Sequence, residues 1–221
     1  MKFIGDVHGK YNQYERIISE CENSIQVGDM GVGFKRQNPV WGQSEYFPNP
    51  SYDKMVLGNH RFIRGNHDNP AVCMKHTQYI PDGHTENGMM FIGGALSIDR
   101  DWRTEGFDYW TDEELTQGDF YWMMDVYKEY KPKIMVTHEC PDSIADLLLN
   151  NRAKFKDGSI TRQAFDGMFK EYKPEVHIFG HWHVDFDQVI LGTRFICLNE
   201  LSTIDLDMND LTKGEIVPNK A

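Results

Sequence analysis

The chain has 221 residues, 40% hydrophobic and 26% charged, so it is long enough for one packed domain and does not have the composition of a disordered protein. Its formal net charge of -11 argues against broad affinity for nucleic-acid backbone, which requires clustered lysines and arginines. The four scattered cysteines form no CxxC pair and argue against a thiolate metal site. With no apolar run of about 18 residues and no signal-like start, we expect a cytoplasmic protein without a membrane span.

Short apolar segments alternate with a helical pattern through the first third of the chain. Residues 2–5 and 24–28 predict two short strands, and between them apolar side chains recur at helical spacing over 11–21. The stretch 34–54 contains three prolines and predicts a long loop, a kind of segment that is often functional. Residues 61–64 predict a third strand.

The remainder continues the alternation of strands and helices. Helices are predicted at 111–115 and 120–130, and strand segments at 89–98, 134–137, 176–179, 185–190 and 193–198. Two glycines interrupt the first of these strand segments and predict a strand pair there, whereas the last two predict an antiparallel hairpin that turns at Gly192. Residues 1–211 are therefore expected to form a single domain, followed by a polar C-terminal tail at 212–221.

Side chains able to bind metal ions follow five predicted strands, either directly or after one glycine. In chain order they are Asp6 and His8, Asp29, Asn66, His138, and His181 with His183. Because open α/β sheets build ligand sites at the carboxyl ends of their strands, we expect these side chains to converge. Each piece is common by itself, but five in one chain indicate a dinuclear centre. Its mixture of oxygen and nitrogen ligands suits Mn, Fe, Zn or Ni. A glycine precedes four of the pieces (Gly5, Gly28, Gly65 and Gly180), where the backbone must turn close to the metals.

The order of these pieces resembles the signature motifs of a known family. The matching segments are GDVHG (5–9), GD (28–29), RGNHD (64–68), TH (137–138) and GHWH (180–183). They are similar to the successive motifs of the calcineurin-like metallophosphoesterase superfamily, in its bacterial or phage type, related to serine/threonine phosphatases. The resemblance implies an α/β (α+β) fold, a central β-sandwich of mixed sheets flanked by helices, with the metals at strand ends.

The resemblance also implies a role for each matched residue. One metal would be held by Asp6, His8 and His183, and the other by Asn66, His138 and His181. Asp29 would bridge both metals. His67 would not be a ligand but would lie over the scissile phosphate, where it stabilises charge or protonates the leaving oxygen. Two divalent ions, Mn²⁺ foremost, would lie about 3.5–4 Å apart, clamp the phosphoryl group and turn a bridging water into the attacking hydroxide.

The second and third motifs depart from the pattern of the serine/threonine phosphatases. GDMGVGF lacks the second Asp and the Arg of GDxVDRG, and GNHD replaces GNHE. The departures remove the carboxylate partner expected for His67 and one phosphate-binding arginine. Arg64, Arg100 and Arg103 are candidates to bind phosphate instead, with an ordinary surface ion pair as the alternative for the last two. The segment GGALSIDR…R…YW…EE, which starts at residue 93, resembles one in bacterial and phage members and predicts an active-site loop.

Three functions are compatible with these motifs. We favour a phosphomonoesterase that acts on a phosphoprotein or a small phosphorylated substrate, a function to which GDVHG inclines. The alternative is a phosphodiesterase or nucleotide hydrolase for cyclic nucleotides, dinucleoside polyphosphates or nucleic-acid ends, to which GNHD inclines. An inactive binding scaffold is a third possibility, but such proteins typically lose metal ligands, and here all seven positions are filled.

Overall fold

A computed structural model of the chain describes residues 1–37, 44–46, 52–148 and 158–219. The strands are β1 (Lys2–Ile4), β2 (Ser24–Gln26), β3 (Lys35–Gln37), β4 (Ser44–Tyr46), β5 (His60–Phe62), β6 (Thr85–Glu86), β7 (Met89–Ile92), β8 (Ile134–Thr137), β9 (Val176–Phe179), β10 (Phe186–Ile190), β11 (Thr193–Cys197), β12 (Thr203–Asp205) and β13 (Ile216–Val217). The α-helices are α1 (Tyr11–Ile18), α2 (Tyr52–Leu57), α3 (Pro70–Cys73), α4 (Gln117–Tyr130), α5 (Asp142–Leu148) and α6 (Ile160–Glu171). A 3-10 helix spans Arg100–Trp102.

Two mixed sheets form the centre of the molecule. The first has the order β13-β12-β1-β2-β5, in which β1, β2 and β5 are parallel and the other two strands antiparallel to their neighbours. The second has the order β10-β11-β9-β8-β7-β6, with β11, β9, β8 and β7 parallel at its centre. Strands β3 and β4 pair separately. Each sheet thus has a parallel part whose strands point the same way and end at one edge.

The alternation of side chains along each strand explains how the layers pack. In β1, Phe3 faces the second sheet whereas its neighbour Ile4 packs against α1. In β7, Phe91 belongs to the core between the sheets and Met90 to the layer under α4 and α6. The two sheets therefore form a sandwich with helices on both outer faces, which confirms the predicted fold class.

Local signals set the ends of the two long helices on the second sheet. Thr116 caps α4 through a reciprocal pair of hydrogen bonds with Asp119, and a left-handed Lys131 ends it. The Ser159 side chain accepts a hydrogen bond from the first turn of α6. Among the described residues, no helix combines the length and apolar character that crossing a bilayer demands.

Three internal segments differ from the sequence predictions. The stretch 34–54, predicted as a loop, contains the β3–β4 pair and the start of α2, and its parts at 38–43 and 47–51 lie outside the described residues. Only the first half of 89–98 is a strand, because Gly94 takes a positive φ and donates to the Arg64 carbonyl instead of continuing the ladder. Residues 111–115 are not helical, because Arg64 takes two of their carbonyls as acceptors.

The segment predicted as a polar tail contributes to the first sheet. Ile216–Val217 pairs antiparallel with Thr203–Ile204 and adds β13 at the edge of the sheet. The side chain of Ile216 packs against the core between the sheets. This edge lies at the far side of the first sheet from β5, so β13 is separated by two strands from β2 and takes no part in the cluster described next.

Candidate metal centre

The loops that follow β1, β2 and β5 of the first sheet meet those that follow β8 and β9 of the second. This edge brings together all seven side chains predicted to bind metals, although Asp6 and His181 are separated by 175 residues in sequence. All but Asn66 follow strands that have a neighbour on both sides within their sheet. The convergence expected from the sequence is thus present in the structure, with the additional feature that two sheets supply it.

One group consists of Asp6, His8 and His183. Nε2 of His183 lies 3.1 Å from the Asp6 carboxylate, and Nε2 of His8 lies 3.6 Å from it. The two imidazole nitrogens are 2.9 Å apart. All three ligand atoms therefore point at one another, which is the arrangement that a shared cation requires.

The other group contains Asn66, His138 and His181. His138 donates from Nδ1 to the carbonyl of Val27, so its Nε2 is left to face the centre. Nε2 lies 3.1 Å from Oδ1 of Asn66. The ring of His181 lies 5.1 Å from that of His138, edge to face. The backbone bond of His138 thus fixes which of its nitrogens is available to a metal.

Asp29 lies between the two groups. Its Oδ1 is 3.3 Å from Nε2 of His138, and its Oδ2 is 3.8 Å from Nε2 of His8. It belongs both to a possible ligand set with His138 and His181 and to one with His8 and His67. One carboxylate can thus contact cations in both halves, the position predicted for the bridging ligand.

The backbone at this edge is held in an uncommon conformation. His8, Asp29, His181 and His183 all have positive φ, between 47° and 68°. Non-glycine residues rarely adopt this left-handed region, and such strain collects at functional sites where the surrounding structure enforces it. Four of the seven predicted ligands share this conformation. Its energetic cost is therefore tolerated where the backbone directs these side chains towards the cluster.

Two of the predicted glycines lie directly against the buried carboxylates. A Cβ atom added at Gly65 would stand 2.1 Å from Oδ1 of Asp29, and one at Gly180 would stand 2.2 Å from Oδ1 of Asp6. No side chain fits at either position without displacing a carboxylate. The glycine that precedes each of these motifs is therefore explained by close approach.

The electrostatics of the cluster favour bound cations. Burial alone would raise the pKa of the Asp6 carboxyl, but hydrogen bonds with His183 and His8 hold it well below its usual range. Burial likewise opposes the charge on His138, yet Asp29 and Asp6 raise its pKa to about 10. Without cations, protonated histidines neutralise two buried carboxylates. Divalent ions would replace those protons, so the donor set and its charge fit a metal centre.

His67 lies at the mouth of the centre with an arginine as its neighbour. Nη2 of Arg103 is 2.6 Å from Nε2 of His67, and Asp99 holds the same guanidinium by two contacts of 2.8 and 3.0 Å. Phe34 stacks on the imidazole at 4.9 Å. Burial, and then the charge of Arg103, lower the pKa of His67 to about 4 although Asp29 opposes the shift. The ring is therefore neutral near pH 7.

The three arginines predicted to bind phosphate are placed differently. Arg103 lines the cleft beside the metal centre. Arg64 is buried, pairs with Asp82 at 2.8 Å, and donates to backbone carbonyls of residues 112 and 113. Arg100 is exposed on the 3-10 helix. Only Arg103 of the three is thus brought to the candidate centre in the part of the chain that the structure describes.

Asp68, to which the sequence assigned no role, joins two of the loops. Its buried carboxylate accepts hydrogen bonds from the backbone N–H groups of Met30, Gly31, Val32 and Gly65. The loops that carry Asp29 and Asn66 are therefore tied to one anion. Its place in the third motif, directly after His67, was the signal that could have pointed to it.

Glu139 is a second acid that sequence reasoning missed. It is fully buried directly after His138 and accepts hydrogen bonds from the indole of Trp182 and from Arg162. Its carboxylate lies 3.7 Å from Nε2 of His181. An acid that immediately follows a strand-end histidine was the available signal, and its position orients the residues around His181.

A cleft opens in front of the centre. A cavity of about 780 Å³ is lined by His8, Lys10, Phe34, His67, Trp102 and Arg103, among others. A second cavity of about 440 Å³ adjoins it on the side of Asn66 and His181. His67, Asp99 and Arg103 line both. The cleft is therefore larger than a phosphate group and has room for a substituent on it.

Comparison with known proteins defines the class. Residues 2–185 match the calcineurin-like phosphoesterase family, and the chain therefore belongs to that family. It is a metal-binding hydrolase of phosphoester bonds. No curated protein is significantly similar to the chain.

Solved structures with the same fold have little sequence in common with this chain. The protein TT1561 of Thermus thermophilus is 12% identical, with a TM-score of 0.54 over 98% of both chains. A Staphylococcus aureus protein provisionally assigned as a 5′-nucleotidase, solved with alpha-ketoglutarate, is 11% identical. Its TM-score is 0.51 over 98% of this chain and 53% of that one. At such identities the likeness shows the fold alone.

Proposed function

We propose that the chain is a metal-dependent phosphomonoesterase with two divalent cations, for which Mn²⁺ is the first candidate and Fe, Zn or Ni are alternatives. The residues proposed to hold them are Asp6, His8 and His183 on one side, Asn66, His138 and His181 on the other, and Asp29 between them. The observation that carries the proposal is the meeting of these seven oxygen- and nitrogen-bearing groups around two buried carboxylates. When bound, the cations supply Lewis acidity and neutralise negative charge on the phosphoryl group.

Arg103 is the proposed phosphate-binding arginine. Its guanidinium reaches the mouth of the centre and presents several donors in one plane, a geometry that matches two phosphate oxygens. Asp99 holds it in place from the other side. Binding and orientation of the phosphoryl group therefore fall to a residue of the segment that the sequence predicted as an active-site loop.

His67 is the proposed proton carrier for the leaving oxygen. Without substrate, Nε2 of His67 accepts from Arg103, which places the ring proton on Nδ1. A phosphate that takes over the donors of Arg103 would free Nε2 and bring negative charge beside it. That negative charge favours protonation of Nε2 from solvent, and the Nε2–H group then donates this proton to the leaving oxygen.

Charge favours an anionic phosphate ester as the substrate. Two divalent cations bring four positive charges, while Asp6, Asp29 and the attacking hydroxide supply three negative ones. The remaining positive charge attracts a phosphate ester into the cleft. The alternative function, a phosphodiesterase or nucleotide hydrolase, is favoured by a different observation: the 780 Å³ cavity with Trp102 on its rim can receive a second substituent.

A paired assay tests the proposal. Metal-free protein reconstituted with Mn²⁺ is assayed against p-nitrophenyl phosphate and bis(p-nitrophenyl) phosphate under identical conditions. We expect a higher kcat/KM for the monoester and loss of both activities in Asp29→Asn. A higher kcat/KM for the diester would favour the alternative function. Inactivity towards both substrates despite bound Mn²⁺ would contradict the proposal.

A further inference from the structure

A chain of buried hydrogen bonds leads from a glutamate to Asn66. The first of the two glutamates in the predicted active-site segment, Glu113, is 2% exposed, and so are Ser97 and Asn66. Glu113 accepts from the backbone N–H of Ser97 and from its hydroxyl, both at 2.7 Å. Ser97 Oγ in turn accepts from Nδ2 of Asn66 at 3.0 Å. The chain ends at Oδ1 of Asn66, which faces Nε2 of His138.

Each step of this chain has a fixed direction. Burial raises the pKa of Glu113 to about 7, so its carboxyl is ionised above that pH. An ionised carboxylate can only accept hydrogen bonds, so Ser97 must then give its single hydroxyl proton to Glu113. The Ser97 oxygen is then left with lone pairs only, so Asn66 must turn its N–H₂ towards it. An amide that presents its nitrogen on one side presents its oxygen on the other. Because the Glu113 carboxylate only accepts hydrogen bonds, it determines that the oxygen of the Asn66 amide, and not the nitrogen, faces His138.

We propose that Glu113 and Ser97 are positioning residues that hold the Asn66 carbonyl oxygen towards the second metal position. The inference rests on the proposed function, in which Asn66 Oδ1 is a ligand. Only oxygen can serve there, because the amide nitrogen has no free lone pair for a cation. Two buried residues outside the ligand set therefore set the chemical identity of the atom that meets the metal.

Glu113→Gln should reverse the direction of these hydrogen bonds, because glutamine has the same shape as glutamate but carries an N–H₂ group in place of one oxygen. The glutamine oxygen is needed by the Ser97 backbone N–H, so the glutamine N–H₂ must face the Ser97 hydroxyl. The hydroxyl proton is then directed at Asn66, which satisfies it only by turning its oxygen away from the metal. Glu114→Gln is a matched control, because a single Glu114 oxygen accepts from both Ser159 and Thr161, and glutamine keeps that oxygen.

Calorimetric titration of metal-free protein with Mn²⁺ at about pH 8, where Glu113 is ionised, tests the proposal. We expect Glu113→Gln and Ser97→Ala to weaken one of the two sites by about 10- to 100-fold, the range typical of residues that orient a metal ligand. Glu114→Gln should bind as the wild type does. In an Asn66→Asp background both terminal atoms are oxygens, so Glu113→Gln should cause no further loss there.

A second readout needs no metal. In the metal-free wild type, the Asn66 side-chain N–H₂ should show nuclear Overhauser contacts to the β-protons of Ser97, and these should disappear in Glu113→Gln. The inference would be overturned if Glu113→Gln and Ser97→Ala both bound Mn²⁺ with wild-type affinity. It would also be overturned if Glu113→Gln lost as much affinity in the Asn66→Asp background as it does in the wild type. Failure of the wild type itself to bind Mn²⁺ would instead refute the proposed function, while the magnetic resonance contacts still test the orientation.

Discussion

His67 and Arg103 are both basic side chains, yet their nitrogen atoms lie 2.6 Å apart. The contact is possible because burial and the neighbouring guanidinium keep the imidazole neutral, and because Asp99 balances the arginine. A dianionic phosphate would attract the guanidinium away from the ring. The pair therefore links the binding of substrate to the availability of an imidazole nitrogen.

His67→Ala tests the role of the imidazole. We expect kcat to fall about 100-fold or more, since a positioned proton carrier typically contributes that much, while bound Mn²⁺ stays unchanged. Steady-state kinetics and elemental analysis of the same preparation measure both quantities. Loss of a metal ion would instead show that His67 acts in the ligand set that it can form with His8 and Asp29.

Arg103→Ala tests the phosphate contact. A charge-assisted hydrogen bond to phosphate contributes about 1.5–3 kcal/mol, so KM should rise roughly tenfold or more. Arg100→Ala provides the comparison, because Arg100 lies three residues away and is exposed on the 3-10 helix. Equal KM values for the two variants would remove Arg103 from the proposed binding site.

At the scale of single elements, short loops rather than strands carry the centre, and Asp68 holds two of them together. Three consecutive N–H groups in the loop after β2 and one in the loop after β5 converge on its carboxylate. An asparagine at position 68 would replace one of these oxygens with an N–H₂ group. The backbone N–H groups that bonded to that oxygen would then face another donor and lose their acceptor. This arrangement makes the relative position of Asp29 and Asn66 depend on a single anion.

Asp68→Asn should lower the free energy of unfolding by about 2–4 kcal/mol, because buried N–H groups lose a charged acceptor. Urea unfolding at pH 7.5 measures the change. Asp125→Asn, at an exposed position of α4, should change the free energy by less than about 0.5 kcal/mol. Similar values for the two variants would show that the loop contacts contribute little stability.

The elements that end at the centre were predictable because their signals are local. Strands β1, β8 and β9 are short, largely apolar runs, each followed directly by glycine or by a polar residue, and β2 is followed by Val27 and then Gly28. Only a few residues near these strand ends are of a type that binds metals, which limited the possible ligands. The helix predicted at 111–115 was wrong because Arg64, nearly fifty residues earlier, takes its carbonyls. Which of the three arginines reaches the centre also depends on contacts between distant segments. The spacing of apolar residues along the sequence gives no information about such contacts, so Arg103 could not be singled out in advance.

At the scale of the whole molecule, the candidate centre connects the two sheets. The backbone N–H of His181, from the second sheet, donates to the Asp6 carboxylate of the first. His138, from the second sheet, donates to the carbonyl of Val27, which follows β2. Cations held here would add further links between the same two layers, so metal binding and stability of the sandwich should be coupled.

Removal of metal should lower the thermal stability of the protein. At free Mn²⁺ about 100 times the dissociation constant, one site adds about 2.7 kcal/mol, which for a chain of this size raises Tm by roughly 5–10 °C. Thermal unfolding followed by circular dichroism, with chelator or with Mn²⁺, measures the shift. Asp29→Asn should reduce it strongly. An unchanged Tm in the wild type would argue against cation binding between the sheets.

His177 predicts how stability depends on pH. It is buried on β9, where its Nε2 contacts Thr137, and burial lowers its pKa from about 6.5 to about 3. Between these values the unfolded chain takes up a proton that the folded protein does not. Stability is therefore fully present above pH 6.5 and is lost as the pH falls towards 3, by up to about 1.4 kcal/mol per pH unit.

Chemical unfolding of the wild type and His177→Gln from pH 7.5 to pH 4 measures this contribution. The variant should lose less free energy of unfolding over that interval than the wild type does, because glutamine does not titrate. Parallel pH profiles for the two proteins would show that His177 contributes nothing to acid sensitivity.

The separation of 175 residues between Asp6 and His181 has a consequence for biosynthesis. When the ribosome has synthesised the first 170 residues, Asp6, His8, Asp29, Asn66 and His138 have been made, but β9 and the two histidines after it have not. β9 lies between β8 and β11, so the second sheet cannot close before it arrives. A nascent chain of that length thus lacks two of the histidines that surround Asp6, and a cation can be enclosed by all seven side chains only after residue 183 has been made.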